Sequence, residues 1–149
     1  MSHIIRSLLV PISGGQILLP SAVTAEITAY HKPEIVREKQ PEWFIGMIEW
    51  RGQRIPLIAL EKILSLPTTR PTARFRTLVL YGLEVPQTLP FYALVTTDIP
   101  HVLSVSEAHL AHVNEEKRTG FVFTVKINQQ ETAWIPDLTY LENLLRKTV

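Results

Sequence analysis

The chain contains no cysteine, and this absence excludes several classes of protein at once. Disulfide scaffolds, thiol nucleophiles and thiolate metal sites all require cysteine, and none of the 149 residues is one. Charge is also scarce, because 19% of the residues are charged and the formal net charge is +1. A chain with so small a net charge creates no strong field that would attract nucleic acid or an anionic membrane.

Long apolar segments and long helices are not expected either. Pro11 ends the first apolar run well short of the roughly 20 residues that a membrane-spanning helix needs. Eleven prolines are scattered along the chain, which argues against long helices and favours many short strands. Since 46% of the residues are apolar, the chain can bury a core. We therefore expect a cytoplasmic globular protein without direct membrane contact.

The stretch from 41 to 66 gives the strongest local signal. Two apolar runs, 44–50 and 55–60, are separated by a short segment that contains Arg51 and Gly52. This pattern predicts a β-hairpin, because glycine accepts the positive φ that a tight turn often needs. Arg51 should then be exposed at the tip of the hairpin on a stiff loop. Leucine and isoleucine continue with helical spacing until Pro67.

Similar short runs along the rest of the chain predict about nine or ten strands in total. A single helical turn is expected at 20–22, and the polar segment 106–118 is expected to form a helical turn and a loop. Asp137 should cap a last helix whose leucines form one stripe. Strand spacing of this kind is typical of a barrel or a sandwich. The other predicted strands are 4–12, 16–19, 23–30, 75–81, 91–96, 99–105, 121–127 and 132–135.

Residues 67–74 form the best candidate for an internal boundary, because two prolines lie in this otherwise polar segment. We predict one domain over 1–149 that is divided there into two subdomains. Strand alternation also predicts a set of core side chains on the two sides of this boundary. These are Ile48, Ile55, Leu57 and Ile127.

The residues of the hairpin also carry a family resemblance. The segment FIGMIEWRGQRIPLI, 44–58, resembles the central signature of CheW-like adaptors of bacterial chemosensory systems. That signature is an aromatic residue or Ile, then Gly-Val-Ile-Asn-Leu-Arg-Gly, a strand containing Pro, and a short Leu-rich helix. Glu49 and Trp50 stand where the family usually has Asn and Leu. The matching positions are Gly46, Ile48, Arg51, Gly52, Ile55, Pro56 and Leu64.

A second segment extends the resemblance toward the N-terminus. Residues 19–27, LPSAVTAEI, are similar to the family pattern Ile-Pro-x-x-x-Val-x-Glu-Ile. Glu26 falls on the Glu of that pattern, which lies on a surface that the family uses for partner contact. The resemblance covers roughly residues 4–145. It implies a mainly all-β fold of two small SH3-like β-barrels packed together, with a groove between them and short helices, including a C-terminal one.

The resemblance also implies a function. CheW-like adaptors are non-enzymatic and couple the cytoplasmic tip of a chemoreceptor to a CheA-type histidine kinase. A diverged member would act in chemotaxis or in a chemosensory system linked to type IV pili. We expect no cofactor and no metal. The implied partner-binding residues are Glu26, Arg51 and Gly52, with Trp43, Phe44, Ile45 and Met47 as apolar neighbours.

The tryptophans leave one question open. Trp134 lies between Ala133 and Ile135 and is expected in the core. A core position is also the default for Trp43 and Trp50, although aromatic residues are enriched in interface hot spots and either could anchor a partner.

Two other classes of function remain as alternatives. Small barrels bind single-stranded nucleic acid, and a basic-aromatic surface could come from Arg74, Phe75, Arg76 and Tyr81. Alternation along a strand would, however, send Phe75 and Arg76 to opposite faces. An enzyme with a metal site is the third hypothesis. It would use His109 and His112, which are three residues apart, with a third ligand from Glu107, Glu115 or Glu116.

Overall fold

A computed structural model describes residues 4–35, 40–106, 111–114, 121–127 and 131–148. Most of these residues belong to short strands, as the density of proline and β-branched residues predicts. The elements, in chain order, are β1 (Ile4–Ile12), β2 (Gly15–Pro20), a 3-10 turn (Ser21–Val23), β3 (Thr24–Ala29), β4 (Phe44–Trp50), β5 (Gln53–Ile58), α1 (Leu60–Ile63), β6 (Arg76–Tyr81), β7 (Phe91–Thr96), β8 (His101–Ser106), β9 (Ala111–Asn114), β10 (Phe121–Lys126), β11 (Thr132–Pro136) and α2 (Leu138–Thr148).

The strands form two sheets. The six-stranded sheet has the order β8-β1-β2-β11-β10-β9, and the five-stranded sheet has the order β3-β6-β7-β5-β4. Two pairs, β2 with β11 and β5 with β7, are parallel, and the other pairs are antiparallel. The first sheet therefore takes its strands from both ends of the chain, and the second takes its strands from the middle.

The segment 67–74, which is predicted as the boundary between two subdomains, does not separate the two sheets. This segment connects α1 to β6, and the strands on either side of it belong to the same five-stranded sheet. The chain instead changes sheet at the 3-10 turn and again between β7 and β8. Proline marks an irregular connection, but its position says nothing about which sheet the neighbouring strands join.

The buried side chains form three clusters, because several strands are apolar on both faces. In β1, for example, Leu8 and Val10 pack between the two sheets, whereas Leu9 packs inside the six-stranded sheet. In β7, Tyr92 and Leu94 face the same cluster between the two sheets as Leu8 and Val10, whereas Ala93 faces the inside of the five-stranded sheet. Strands buried on both sides read as continuous apolar runs rather than as alternating ones.

The last helix is docked through a buried carboxylate. Asp137 caps α2, since its Oδ1 accepts a hydrogen bond from the Tyr140 backbone N–H at 3.1 Å. Glu142 is 1% exposed and accepts hydrogen bonds from the backbone N–H groups of Leu83 (2.8 Å) and Glu84 (2.9 Å). The hydroxyl of Tyr92 donates a third, at 3.3 Å. Burial raises the pKa of Tyr92, and the charge of Glu142 raises it further.

The prediction of core side chains is largely confirmed. Ile48, Ile55 and Leu57 are buried, whereas Ile127 is half-buried because it lies just past the end of β10. The helical turn expected within 106–118 is wrong at 111–114, where the chain forms β9. This strand is an edge of its sheet, and edge strands tolerate polar residues that resemble a loop in sequence. Within the described ranges, no helix is both long and apolar enough to cross a membrane.

Candidate functional site

The β4–β5 hairpin has the geometry that its sequence predicts. Strand β4 ends at Trp50 and β5 begins at Gln53, so that Arg51 and Gly52 form a two-residue loop. Both loop residues have positive φ, 48° for Arg51 and 76° for Gly52. Positive φ at both central positions is the signature of a type I′ turn, whose twist matches that of the strands. The Arg51 backbone is therefore held in a defined position.

A second glycine shapes the other half of β4. Gly46 has a φ of 153° at a point where the register between β4 and β5 shifts. A side chain there would collide with the carbonyl oxygen of Glu34, which packs against the Gly46 backbone. Glu34 and Met47 also exchange two backbone hydrogen bonds of 2.9 Å each. The glycine thus permits a neighbouring segment to bond to the outer edge of the hairpin.

The hairpin tip and β3 bring together Glu26, Trp50 and Arg51, which we call the Glu26 cluster. The indole Nε1–H of Trp50 donates a hydrogen bond of 2.5 Å to Glu26 Oε2. Nη2 of Arg51 donates to the other oxygen, Oε1, at 2.9 Å. The guanidinium carbon of Arg51 also lies 5.0 Å from the centroid of the Trp50 ring, within cation–π distance. Two residues predicted separately from the sequence, Glu26 and Arg51, are therefore direct partners.

The electrostatics of the cluster keep Glu26 ionised. The hydrogen bond from Trp50 and then the one from Arg51 lower the pKa of Glu26. The side chain of Glu26 is 35% exposed and that of Arg51 is 65% exposed. Among the described residues, Arg51 forms a hydrogen bond through Nη2 alone. Since a guanidinium carries five N–H donors, the others remain available to a bound partner.

Aromatic rings extend this surface along the ends of β6 and β7. The Trp50 ring lies 4.8 Å from that of Phe91, which in turn lies 5.6 Å from that of Tyr81. Tyr81 is 44% exposed, so an apolar ring borders the Glu26 cluster. No local pattern in the sequence connects these rings with Arg51. The pairing of Tyr81 with Phe91 in the β6–β7 register brings them together, and that register follows only from the sheet.

The other predicted site residues lie apart from Arg51. Phe44 is 5% exposed and belongs to the core between the sheets, and Trp43 packs edge-on against it at 6.2 Å. Ile45 and Met47 are half-buried at the far half of β4. The structure therefore gathers Glu26, Arg51 and Gly52 at the tip, and it places the four apolar neighbours toward the other end of the hairpin.

The tryptophans differ in burial. Trp50 is 8% exposed and lies in the core of the five-stranded sheet, although its indole N–H serves the Glu26 cluster. Trp43 and Trp134 are half-buried. The ring of Trp134 covers the backbone of Gly15. The default core position is thus confirmed for Trp50, and the site and the core share this side chain.

The structure gives less support to the two alternative sites, the nucleic-acid surface and the metal site. Phe75 is 5% exposed and packs against Tyr30, so its ring cannot stack on a nucleic-acid base from this position. Arg74 pairs with Asp98 at 3.5 Å. His112 lies on β9 rather than on a helix, while His109, Glu107, Glu115 and Glu116 fall outside the described residues. In the described part of the chain, no three potential ligands are placed to hold a metal ion.

Comparisons with known proteins agree with the geometry of the fold. The family model for the CheW-like domain matches residues 6–144. The solved structure of the scaffolding protein TtCheW from Thermoanaerobacter tengcongensis is similar with a TM-score of 0.76 at 16% sequence identity, over 91% of this chain and 86% of that one. A sequence search of curated proteins finds no significant match. The predicted fold of two SH3-like β-barrel subdomains is confirmed, one barrel for each sheet.

Proposed function

The chain belongs to the CheW-like domain family, and we propose that it is a non-enzymatic adaptor that couples the cytoplasmic tip of a chemoreceptor to a CheA-type histidine kinase. Such an adaptor works in the cytoplasm, in chemotaxis or in a chemosensory system linked to type IV pili. The observation that carries the proposal is the Glu26 cluster. It presents an exposed, oriented guanidinium at the end of the five-stranded barrel.

The proposed mechanism is binding alone. Glu26 and the ring of Trp50 hold the Arg51 guanidinium in one orientation before a partner arrives. Preorganisation of this kind reduces the side-chain entropy that is lost on binding. The remaining N–H donors can then bond to a carboxylate or to carbonyl oxygens of the kinase or the receptor. Tyr81 adds an exposed aromatic ring, a residue type common in interface hot spots.

Replacement of Arg51 by Ala tests the proposal. We expect the variant to bind the kinase or the receptor fragment at least about tenfold more weakly, a loss of at least about 1.4 kcal/mol. Its thermal stability should change little, because exposed ion pairs contribute about 0–1 kcal/mol. Arg51→Lys should recover only part of the affinity, since an ammonium cannot reproduce the planar guanidinium. Isothermal titration calorimetry with each partner separately, together with thermal unfolding, measures both quantities.

Arg74→Ala is the matched control. Arg74 is also an exposed arginine in an ion pair, with a side chain 80% exposed, but it lies at the opposite end of the five-stranded barrel. Its replacement should leave binding and stability unchanged. If Arg51→Ala melts early and binds normally once folded, Arg51 is structural and the site is misplaced. If the unmodified protein binds neither partner, the adaptor proposal itself fails.

A further inference from the structure

The loop that joins β6 to β7, residues 82–90, lies at the same end of the five-stranded barrel as the Glu26 cluster. The backbone N–H of Gly82 donates to the carbonyl oxygen of Pro90 at 2.8 Å, which continues the β6–β7 ladder into the loop. The backbone N–H of Leu89 donates to the carbonyl oxygen of Val85 at 2.9 Å. A side chain at Gly82 would collide with the carbonyl oxygen of Leu89. The path of this loop is therefore set by backbone contacts within it.

A buried carboxylate from another part of the chain fixes the start of this loop. Oε1 of Glu142, in α2, accepts hydrogen bonds from the backbone N–H groups of Leu83 at 2.8 Å and of Glu84 at 2.9 Å. Glu142 is 1% exposed, and burial of a carboxylate is costly unless such donors compensate it. Thr139, three residues earlier in α2, donates to the side chain of Glu84 at 2.6 Å. Helix α2 therefore holds the backbone of Leu83 in one position.

The side chain at this fixed position is apolar and exposed. Leu83 is 51% exposed, and Tyr81, two residues earlier, is 44% exposed. One exposed leucine is ordinary in a folded protein, but these two apolar side chains start within about 7 Å of each other, the span of two extended residues. The ring of Tyr81 lies 5.6 Å from that of Phe91, which contacts Trp50 of the Glu26 cluster. An apolar surface on a fixed loop therefore borders the exposed guanidinium of Arg51.

We propose that Leu83 contacts the same partner protein as Arg51, and that Glu142 is a positioning residue that fixes the Leu83 backbone for this contact. The inference rests on the proposed adaptor function and extends its binding site. The partner that fits presents an apolar side chain close to an acidic one, because Tyr81 and Leu83 offer apolar surface and Arg51 offers guanidinium donors. A loop that is fixed beforehand loses little conformational entropy on binding.

Leu83→Ala tests the contact by isothermal titration calorimetry with the kinase and with the receptor fragment separately. The partner that binds Arg51 should bind this variant at least about fivefold more weakly, because apolar surface is no longer buried on binding. Thermal stability should stay unchanged, since half of the side chain is already exposed. Ile99→Ala is the matched control, because Ile99 is 47% exposed and follows β7 at the opposite end of the barrel. It should change the Kd by less than about twofold, as distant sites act independently.

Two variants of Glu142 separate positioning from general support of the fold. Glu142→Gln keeps a carbonyl oxygen that can accept both backbone N–H groups, so the Kd should stay within about twofold of the unmodified protein. Glu142→Met lacks that oxygen. It should shift the amide NMR signals of Leu83 and Glu84 and weaken binding at least about fivefold. When it is combined with Leu83→Ala, binding should weaken no further, because Glu142 acts through Leu83.

The outcomes distinguish this inference from the proposed function. It is overturned if Leu83→Ala binds as tightly as the unmodified protein, if the losses from Leu83→Ala and Glu142→Met add in full, or if Glu142→Met leaves the two amide signals in place. Each of these results leaves the adaptor proposal intact as long as Arg51→Ala binds weakly. A loss in Leu83→Ala without one in Arg51→Ala contradicts the role of Arg51 instead. If the unmodified protein binds neither partner, both proposals fail.

Discussion

Two glutamates at opposite ends of the five-stranded barrel have contrasting surroundings. Glu26 is partly exposed and accepts hydrogen bonds from an indole and a guanidinium, which lower its pKa. Glu61 is buried, its Oε2 has no hydrogen-bond partner among the described residues, and burial raises its pKa. One end of the barrel therefore presents a polar cluster with spare donors, and the other end encloses a carboxyl oxygen to which no described residue donates. The neighbours, not the residue type, determine what each carboxylate can bind.

Strand β4 connects the two ends of the five-stranded barrel. We expect the largest loss of stability from a substitution at Gly46, where the backbone of this strand is most constrained. Gly46→Ala places a side chain against the carbonyl oxygen of Glu34 at a φ that other residues rarely adopt. We expect a loss of about 3 kcal/mol or more in the free energy of unfolding, together with altered NMR shifts at both Ile45 and Trp50.

Gly52→Ala is the control for this substitution. Gly52 also has positive φ, but among the described residues no atom beyond its two chain neighbours lies within 4 Å of the position of an added methyl group. The cost should therefore be only that of the backbone conformation, about 1–2 kcal/mol. Urea unfolding measures the loss of stability in each variant. Equal losses would show that the close contact between Gly46 and Glu34 does not add to the cost of the substitution at Gly46.

A smaller effect is expected from a substitution in the Glu26 cluster. Trp50→Phe removes the indole donor to Glu26 and should raise the pKa of Glu26 toward its ordinary value. Stability should fall by about 1–2 kcal/mol, because the smaller ring leaves space beside Phe91. Phe91→Leu should cause a similar loss of stability while it leaves the pKa of Glu26 low. Carbon-13 NMR titration of the carboxyl groups measures the difference, and an unchanged pKa in Trp50→Phe would contradict the role of the indole.

The smallest effect, and the only expected gain in stability, concerns Glu61 at the other end of the barrel. Glu61→Met replaces the buried carboxyl group by an apolar side chain of similar length. At pH 7 we expect stability to rise by about 1 kcal/mol, because no unpaired oxygen remains. Glu42→Met changes an exposed carboxylate instead and should stay within about 0.5 kcal/mol of the parent protein. A loss of stability in Glu61→Met, measured by urea unfolding, would mean that the carboxyl group is compensated.

The gain from Glu61→Met should also depend on pH. Because the folded-state pKa of Glu61 lies above its ordinary value of 4.5, ionisation of this group destabilises the fold. That penalty is complete above the folded-state pKa and is absent below 4.5. The difference in stability between Glu61→Met and the parent protein should therefore shrink as the pH falls from 7 to below 4.5. The contribution of Glu26 to the pH dependence of stability has the opposite sign. Because its pKa is lowered in the folded state, Glu26 contributes stability above pH 4.5 that is lost in acid.

Local patterns predicted most elements of the fold. The hairpin, its two-residue turn and the cap of the last helix depend on neighbouring residues, as at Gly52 and Asp137, so the sequence is sufficient to find them. Strand β9 was predicted wrongly, and the points where the chain changes sheet do not follow from local patterns. A polar edge strand resembles a loop, and the choice of sheet depends on partners far away in the chain.

The conformational preferences of adjacent residues are enough to predict many short strands, a hairpin with Arg51 at its tip and a short capped C-terminal helix. Two features follow only from the folded chain: Glu26 bonds directly to both Arg51 and Trp50, and Glu61 is buried with an oxygen that no described residue pairs. Hydrogen bonding and burial between distant segments depend on sheet order and register. A local pattern of residues does not encode these long-range contacts.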